Sequence, residues 1–271
     1  MSFTHLHVHS HYSLLDGLAK IDDLIFKAKE LGMASIALTD HGTLYGAVEF
    51  YQKAKKAGLK PIIGCEMYIA GGDMNNKTNT PDNKRYHLTV LIKNKVGYKN
   101  LVQLITKAPL EGFYYKPRVD KNLLRKYSEG LICLSGCRNS EISQFLTTTQ
   151  IEKAEATALE YQNIFGKDNF FIEIQPHFYP AVQQKGGVTD NKNPDIFLKT
   201  AELAKKLEIP LAATNDVHYI LKEDEDYHDI LLAIGTGSKV SDTNRLSLKG
   251  VNLSLKSAEE MAEFFKDFPE A

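Results

Sequence analysis

Four histidines occupy every second position near the start of the chain, His5, His7, His9 and His11, within HLHVHSHYSLLDG. On an extended strand alternate residues face the same side, so His7 and His9 can bring two imidazoles into one site. A bare HxH would serve equally well as a solvated polar face. Further along, TDHG places Asp40 and His41 where an apolar run ends, GCE carries Glu66, SGC carries Cys137, and NDVH carries Asp216 and His218. His87 stands instead at the start of an apolar run. Imidazole, carboxylate and thiolate together suit zinc, manganese or iron, whereas magnesium and calcium favour oxygen ligands. There are too many such groups for one tetrahedral ion, which points to a multinuclear centre. Cations held this way lower the pKa of bound water and clamp the entering and leaving oxygens of a phosphoryl group, so hydrolysis of phosphate esters is the chemistry to expect.

The elements that must position these groups are legible as repeats of strand and helix. FTHLHVH alternates as a strand does, and IDDLIFKAKELG sets Ile21, Leu24, Ile25, Ala28 and Leu31 on one helical face. Seven strands are expected, beginning near residues 4, 34, 60, 87, 130, 169 and 210, each except the sixth followed promptly by a helix. That alternation predicts an α/β fold with a parallel sheet, and seven strands suit a barrel other than the standard eight. Catalytic groups of βα barrels come from the C-terminal strand ends, where every candidate but His87 falls. Two loops rich in Gly, Pro, Asn and Lys, 71–85 and 176–194, are expected to act as lids. The reading is one domain over 1–271, with a barrel core to about 221 and a C-terminal extension over 222–271 that carries the helix EDYHDILLAIG and a last short helix, SAEEMAEFF. The sequence stops at DFPEA soon after a helical pattern, as a fragment would.

With 271 residues, 43% hydrophobic and 25% charged, the composition is that of a globular protein, and a net charge of −1 argues against a stand-alone binder of duplex DNA. A nuclease fed by a neighbour remains compatible. Three cysteines, an odd number, and a start without a signal peptide point to the cytoplasm, and no run of roughly 20 apolar residues suggests a membrane span.

At HLHVHSHYSLLDG, TDHG, GCE, LEGFYYKPR, LSGC and ATNDVHY the sequence resembles the PHP (polymerase and histidinol phosphatase) family. Within it, LEGFYYKPRVD, ATNDVHY and the tail from SDTNRLSLKG onward are similar to the amino-terminal domains of bacterial DNA polymerase III alpha subunits. The resemblance runs from Thr4 to the last residue. It implies a distorted seven-stranded (β/α)7 barrel and a site for three divalent ions, zinc or manganese with iron as an alternative. The nine ligands it implies are His7, His9, Asp16, His41, Glu66, His87, Cys137, Asp216 and His218, and all nine positions hold a competent group. Catalysis is expected to depend on Asp216, His218 and Asp40, with Asp40 and Glu173 orienting imidazoles or holding water, or else serving as a capped turn and a strand-end carboxylate. Lys116 and Arg118 in YYKPR would contact a substrate phosphate, or else are loop cations. His5, His11, His177 and His228 are left unassigned, as surface or structural residues. The loop 177–194 and Pro109 depart from the family pattern. Implied partners are single-stranded or primer-end DNA, or small phosphoesters, together with the rest of a polymerase chain and its replicase subunits. Three functions compete: a 3′–5′ exonuclease, a structural module whose metals serve stability, and a small-molecule phosphoesterase. The polymerase carboxylates of such subunits lie beyond this sequence, so nucleotide polymerisation is not expected here.

Overall fold

Apolar residues at helical and strand spacing build the frame of the computed structural model, which describes residues 3–78, 84–177, 183–184, 187–188 and 195–271. Ile21, Leu24, Ile25 and Ala28 bury one face of α1 (Ile21–Glu30). The chain then runs through β1 (Ser35–Leu38), α2 (Ala47–Lys56), β2 (Lys60–Ala70), β3 (Arg85–Ile92), α3 (Lys95–Leu110), β4 (Arg118–Val119), α4 (Lys121–Tyr127) and β5 (Leu131–Leu134). It continues with α5 (Glu141–Thr147), α6 (Ile151–Phe165), β6 (Phe170–Ile174), the short pair β7 (Gln183–Gln184) and β8 (Gly187–Val188), α7 (Asp195–Leu207), β9 (Leu211–Ala213), α8 (Glu225–Gly235) and α9 (Ala258–Phe264).

The main sheet has the order β1-β2-β3-β5-β6-β9, with β4 beside the second half of β2. Residues 5–9 close it. The carbonyls of His5 and Val8 accept from Ala37 and Thr39 at 2.9 and 2.8 Å, while His9 N–H donates to Val217 (2.7 Å) and Val217 N–H to His7 (3.0 Å). This N-terminal segment is not a regular strand, but it is the seventh stave of a distorted α/β barrel. Ala37, Leu91, Leu134 and Ala212 pack inside the ring with Leu6, Ile62, Ile132 and Phe171.

Two expectations are corrected. β3 runs antiparallel to both β2 and β5, so the sheet is mixed rather than parallel, and among the described residues no helix follows the third stave. The reason is local: a parallel connection needs a crossover that covers the sheet, and GGDMNNKTNTPDNK has no apolar face with which to do so. The gap leaves a groove of about 1370 Å³ between α2 and α3, lined by Tyr45, Val48, Tyr51, Tyr98 and the floor residues Ile62 and Leu91, and by none of the candidate ligands. Of the two expected lids, 79–83 and most of 178–194 lie outside the described residues.

After β9 the chain returns to the barrel rim. His218 N–H donates to Leu253, and the Tyr219 hydroxyl donates to Val251 and accepts from Leu253 N–H. α8 is held down by Asp229, which is 2% exposed and pairs with Arg245 through both carboxylate oxygens. A capping box between Ser257 and Glu260 starts α9. No described helix is long and apolar enough to cross a membrane.

Candidate metal centre

The barrel's pleat turns His7 and His9 inward together. Their Nε2 atoms lie 3.2 and 3.3 Å from Asp216 Oδ1, and 3.4 and 3.5 Å from the two oxygens of Glu66. His41 sits between two carboxylates, with Nδ1 2.5 Å from Glu66 Oε2 and Nε2 2.8 Å from Asp16 Oδ2. On the other side of Glu66, Oε1 is 2.9 Å from His87 Nδ1 and 3.3 Å from Cys137 Sγ. The His218 ring stacks on His9 with centroids 4.3 Å apart, its Nε2 3.7 Å from Asp16 Oδ2. All nine residues expected as ligands thus meet in one cluster. His87, out of place by the strand-end rule, fits because β3 is reversed: its first residues lie beside the last residues of β2, with His87 opposite Tyr68.

Local backbone features aim these groups. Asp216 has φ of +46°, a left-handed conformation that costs a non-glycine residue roughly 1–2 kcal/mol and is held here by its neighbours. Gly136 has φ of +91°, and a Cβ there would lie 2.6 Å from the His87 carbonyl, so only glycine lets the SGC turn carry Cys137 to Glu66.

Hydrogen bonds fix which ring nitrogen faces the cluster. His7 Nδ1–H donates to Glu173 Oε1 (2.6 Å), itself held by the Thr214 hydroxyl. His9 Nδ1–H donates to Ser13 Oγ (2.8 Å), and the Ser13 hydroxyl donates in turn to Asp40 Oδ1 (2.8 Å). His218 Nδ1–H donates to the Asp216 carbonyl (2.7 Å). In each case Nδ1 is spent outward and Nε2 is the nitrogen turned inward, the orientation a metal-binding histidine requires. Asp40 itself, expected near the reacting centre, spends its carboxylate on Ser10 and Ser13 and reaches His9 only through Ser13.

The cluster fits a cation on its own geometry. His7 Nε2, His9 Nε2, His41 Nδ1, Glu66 Oε2 and Asp216 Oδ1 are buried and make no aligned hydrogen bond, although they crowd to within 2.5–3.5 Å of one another. An unpaired buried polar atom costs about 1–3 kcal/mol, and these five converge instead of turning to other partners. Three overlapping triplets, His7–His9–Glu66, His9–His41–His218 and His41–Glu66–His87, each bring their donor atoms within 4.8 Å of one another.

Charge is redistributed across the cluster. Burial works against the charged form of Glu66, but the His87, His41 and His7 rings outweigh it and hold the carboxyl well below its usual range. Burial likewise opposes the charge on His41 and on His7, yet Glu66 and Asp16 in one case, and Asp216, Glu173 and Glu66 in the other, push both well above an ordinary histidine. His9 goes the opposite way, to about 3, through burial and then the charges of His41 and His218. Burial, then Glu66 and Asp216, push the Cys137 thiol up. Protons therefore do part of the work that a cation would do, and metal binding must release them.

The YYKPR cations separate. Arg118 is 1% exposed and donates to the carbonyls of Gly112, Met74 and Asn76, so it is a clamp on two loops and not the phosphate fork expected of it. Lys116 is exposed, its Nζ 5.6 Å from the centre of the Tyr68 ring, which itself packs on His41 and His87. Sequence reasoning missed Ser13, Thr214 and His228. His228 comes from α8, is 2% exposed, and holds an unbonded Nε2 3.7 Å from Asp16 Oδ1. No spacing pattern marks it, since only the docking of α8 brings it there.

The family model of the PHP domain matches residues 5–177. The sequence is 48% identical over 270 residues to the DNA polymerase III subunit alpha of Borreliella burgdorferi, covering 99% of this chain and 22% of that protein. It is 46% identical over 271 residues to that of Treponema pallidum (100% and 22%) and 44% over 265 residues to that of Thermus aquaticus (96% and 21%). The chain thus spans about a fifth of the length of these relatives. A solved amidohydrolase from Chromobacterium violaceum is 15% identical over 79% of this chain and 87% of its own, at a TM-score of 0.48, too loose a likeness to carry chemistry across. The match to the family model takes in every candidate ligand from His7 to Cys137, and the chain belongs to the PHP domain family.

Proposed function

We propose that this chain is a metal-dependent phosphoesterase domain of a bacterial polymerase III alpha subunit, working in the cytoplasm as a 3′–5′ exonuclease on single-stranded or primer-end DNA. The observation that carries the reading is the convergence of five buried, unbonded donor atoms of His7, His9, His41, Glu66 and Asp216. Zinc or manganese ions, or iron, held by the nine residues would lower the pKa of a bound water and neutralise charge on the phosphoryl oxygens. The residues themselves supply the preorganisation. His7, His9 and His218 arrive with their Nδ1 protons tied to fixed acceptors, so no reorientation is needed when substrate enters. Glu66 bridges the two halves of the cluster, and Asp216 is locked by its backbone between His7 and His9.

A second reading, a structural module with non-catalytic metals, is favoured by how closed the cluster is: His7 and His9 are fully buried and Glu66 is 1% exposed. The deciding experiment is hydrolysis of 3′-labelled single-stranded DNA and of a chromogenic phosphoester by the metal-reconstituted chain, beside an Asp216→Asn, His218→Ala variant checked for folding. DNA cleavage that vanishes in the variant supports the exonuclease; cleavage of the small ester alone supports a general phosphoesterase. Two intact substrates with metal content confirmed leave the structural role.

A further inference from the structure

Outward from the cluster, β2 and β3 form a ladder of side chains on one face. Glu66 stands opposite Thr89, Tyr68 opposite His87, and Ala70 opposite Arg85. Thr89 and His87 both reach inward, to His7 and to Glu66, at 3.2 and 2.9 Å. By the two-residue period Arg85 shares their face, one step nearer the mouth. Its guanidinium lies 5.3 Å from the centre of the Tyr68 ring, and Lys116 Nζ lies 5.6 Å from the same centre. Tyr68 in turn packs on His41 and His87, with ring centroids 5.9 and 5.2 Å apart. Arg118, a third cation, is the cross-strand partner of Tyr68 and is fully committed to carbonyls beneath them.

Arg85 and Lys116 are both exposed, and among the described residues neither forms an ion pair. Like charges gathered around one ring repel, and an anionic ligand would relieve that repulsion. The step from His87 to Arg85 is about 6.7 Å of strand, close to the separation of successive phosphates along a nucleotide chain. In a chain with a net charge of −1, recognition of a polyanion must come from such a local feature.

We propose that Arg85 and Lys116, both beside the Tyr68 ring, form an anion subsite that takes the phosphate next to the scissile one. The site then selects the end of a phosphodiester chain bearing at least two phosphates over a simple phosphomonoester. This selection rests on the hydrolytic reading above, but the subsite itself can be tested without turnover.

The test uses the whole 271-residue chain loaded with zinc, its metal content and thermal melting recorded for every variant. The probe is a 5′-fluorescein hexathymidylate with an uncleavable methylene bridge in its 3′-terminal linkage, titrated by fluorescence anisotropy. Arg85→Ala, Lys116→Ala is expected to weaken binding about tenfold or more and to flatten the salt dependence by about one charge. A neutral methylphosphonate at the neighbouring linkage should cost the unaltered chain as much, and cost the double variant almost nothing further. With cleavable substrates, the ratio of kcat/KM for the hexamer to that for p-nitrophenyl phosphate should fall in the same proportion. Binding that is equal in the two proteins, or no binding by the unaltered chain, overturns the subsite. If binding depends on the two cations while the hexamer is never cleaved, the subsite stands and the hydrolytic reading falls. If the hexamer is cleaved equally by both proteins, hydrolysis stands and the subsite falls.

Discussion

Glu66 Oε1 lies 2.9 Å from His87 Nδ1 across a pair of strands that run in opposite directions, and the same carboxylate faces His7, His9, His41 and Cys137. Glu66 is therefore the hub of the cluster, and Glu66→Gln removes the one charge that all these groups share. In the metal-loaded chain we expect loss of most of the bound metal by elemental analysis and at least a hundredfold loss of phosphoester hydrolysis. In EDTA the variant should lose about 1–3 kcal/mol in urea denaturation, because His41 and His7 each lose one of the carboxylates that hold their buried charge. Full metal content in Glu66→Gln would refute the hub.

Chelation should lower stability as well as activity. A cation that binds only the native cluster stabilises it by mass action, about 2.7 kcal/mol at a hundred times the dissociation constant. For a chain of this size that is roughly 5–10 °C in thermal midpoint, recovered on adding back zinc or manganese. A midpoint indifferent to EDTA would mean that these residues do not hold metal.

His228 should support Asp16 from the extension. His228→Ala is expected to weaken metal binding roughly 10–100-fold, as loss of an outer partner of a ligand does elsewhere, while His228→Gln, which keeps a donor near Asp16, should recover part of it. Competition with a fluorescent zinc chelator reads this directly. Equal affinity in all three proteins would reduce His228 to packing.

Arg118→Ala should behave as a folding variant. Three buried carbonyls lose their donor, so a loss of about 2–4 kcal/mol is expected in denaturation. Arg118→Lys should fail to restore it, since an ammonium cannot span the three acceptors that the guanidinium reaches. A variant of unchanged stability with a raised KM would restore the phosphate role.

His5 sets a pH dependence away from the metal cluster. Its Nε2–H donates to the Lys256 carbonyl, and burial drives its pKa to about 4, against 6.5 when exposed. Between those values the unfolded chain takes up a proton that the native chain refuses, so stability falls as pH drops from 6.5 toward 4. His5→Gln, assayed in EDTA, should remove about one proton from the slope of unfolding free energy against pH in that window. An unchanged slope would show that His5 is not held neutral.

Much of this was legible in the sequence because the signals were local. The seven stave positions follow from apolar runs, and the helices of Ile21–Glu30 and Glu225–Gly235 from their periodicity. Most of the residues that meet in the cluster stood out as motifs near those runs, whereas Asp16 came only from the resemblance to the PHP family. What escaped was decided by tertiary placement. Strand direction leaves no mark on periodicity, so β3 was expected to run parallel, and His87 looked misplaced until its strand was reversed. Burial of a cation is equally silent: YYKPR places Lys116 and Arg118 two residues apart, but only the approach of the loop at Met74 and Asn76 encloses the second. α4 (Lys121–Tyr127), capped by Asp120, has a single buried residue, Leu124, and so leaves no apolar stripe for periodicity to find.

The seam between residues 7–9 and Val217 joins the two sequence extremes of the barrel. Of the contacts between staves this one spans the greatest length of chain, so closing the ring carries the largest loop entropy. His7 and His9 lie on one lip of the seam and Asp216 and His218 on the other. Two of the three donor triplets, His7–His9–Glu66 and His41–Glu66–His87, need neither residue of the far lip, so closing the seam adds Asp216 and His218 to a cluster that can already stand in part.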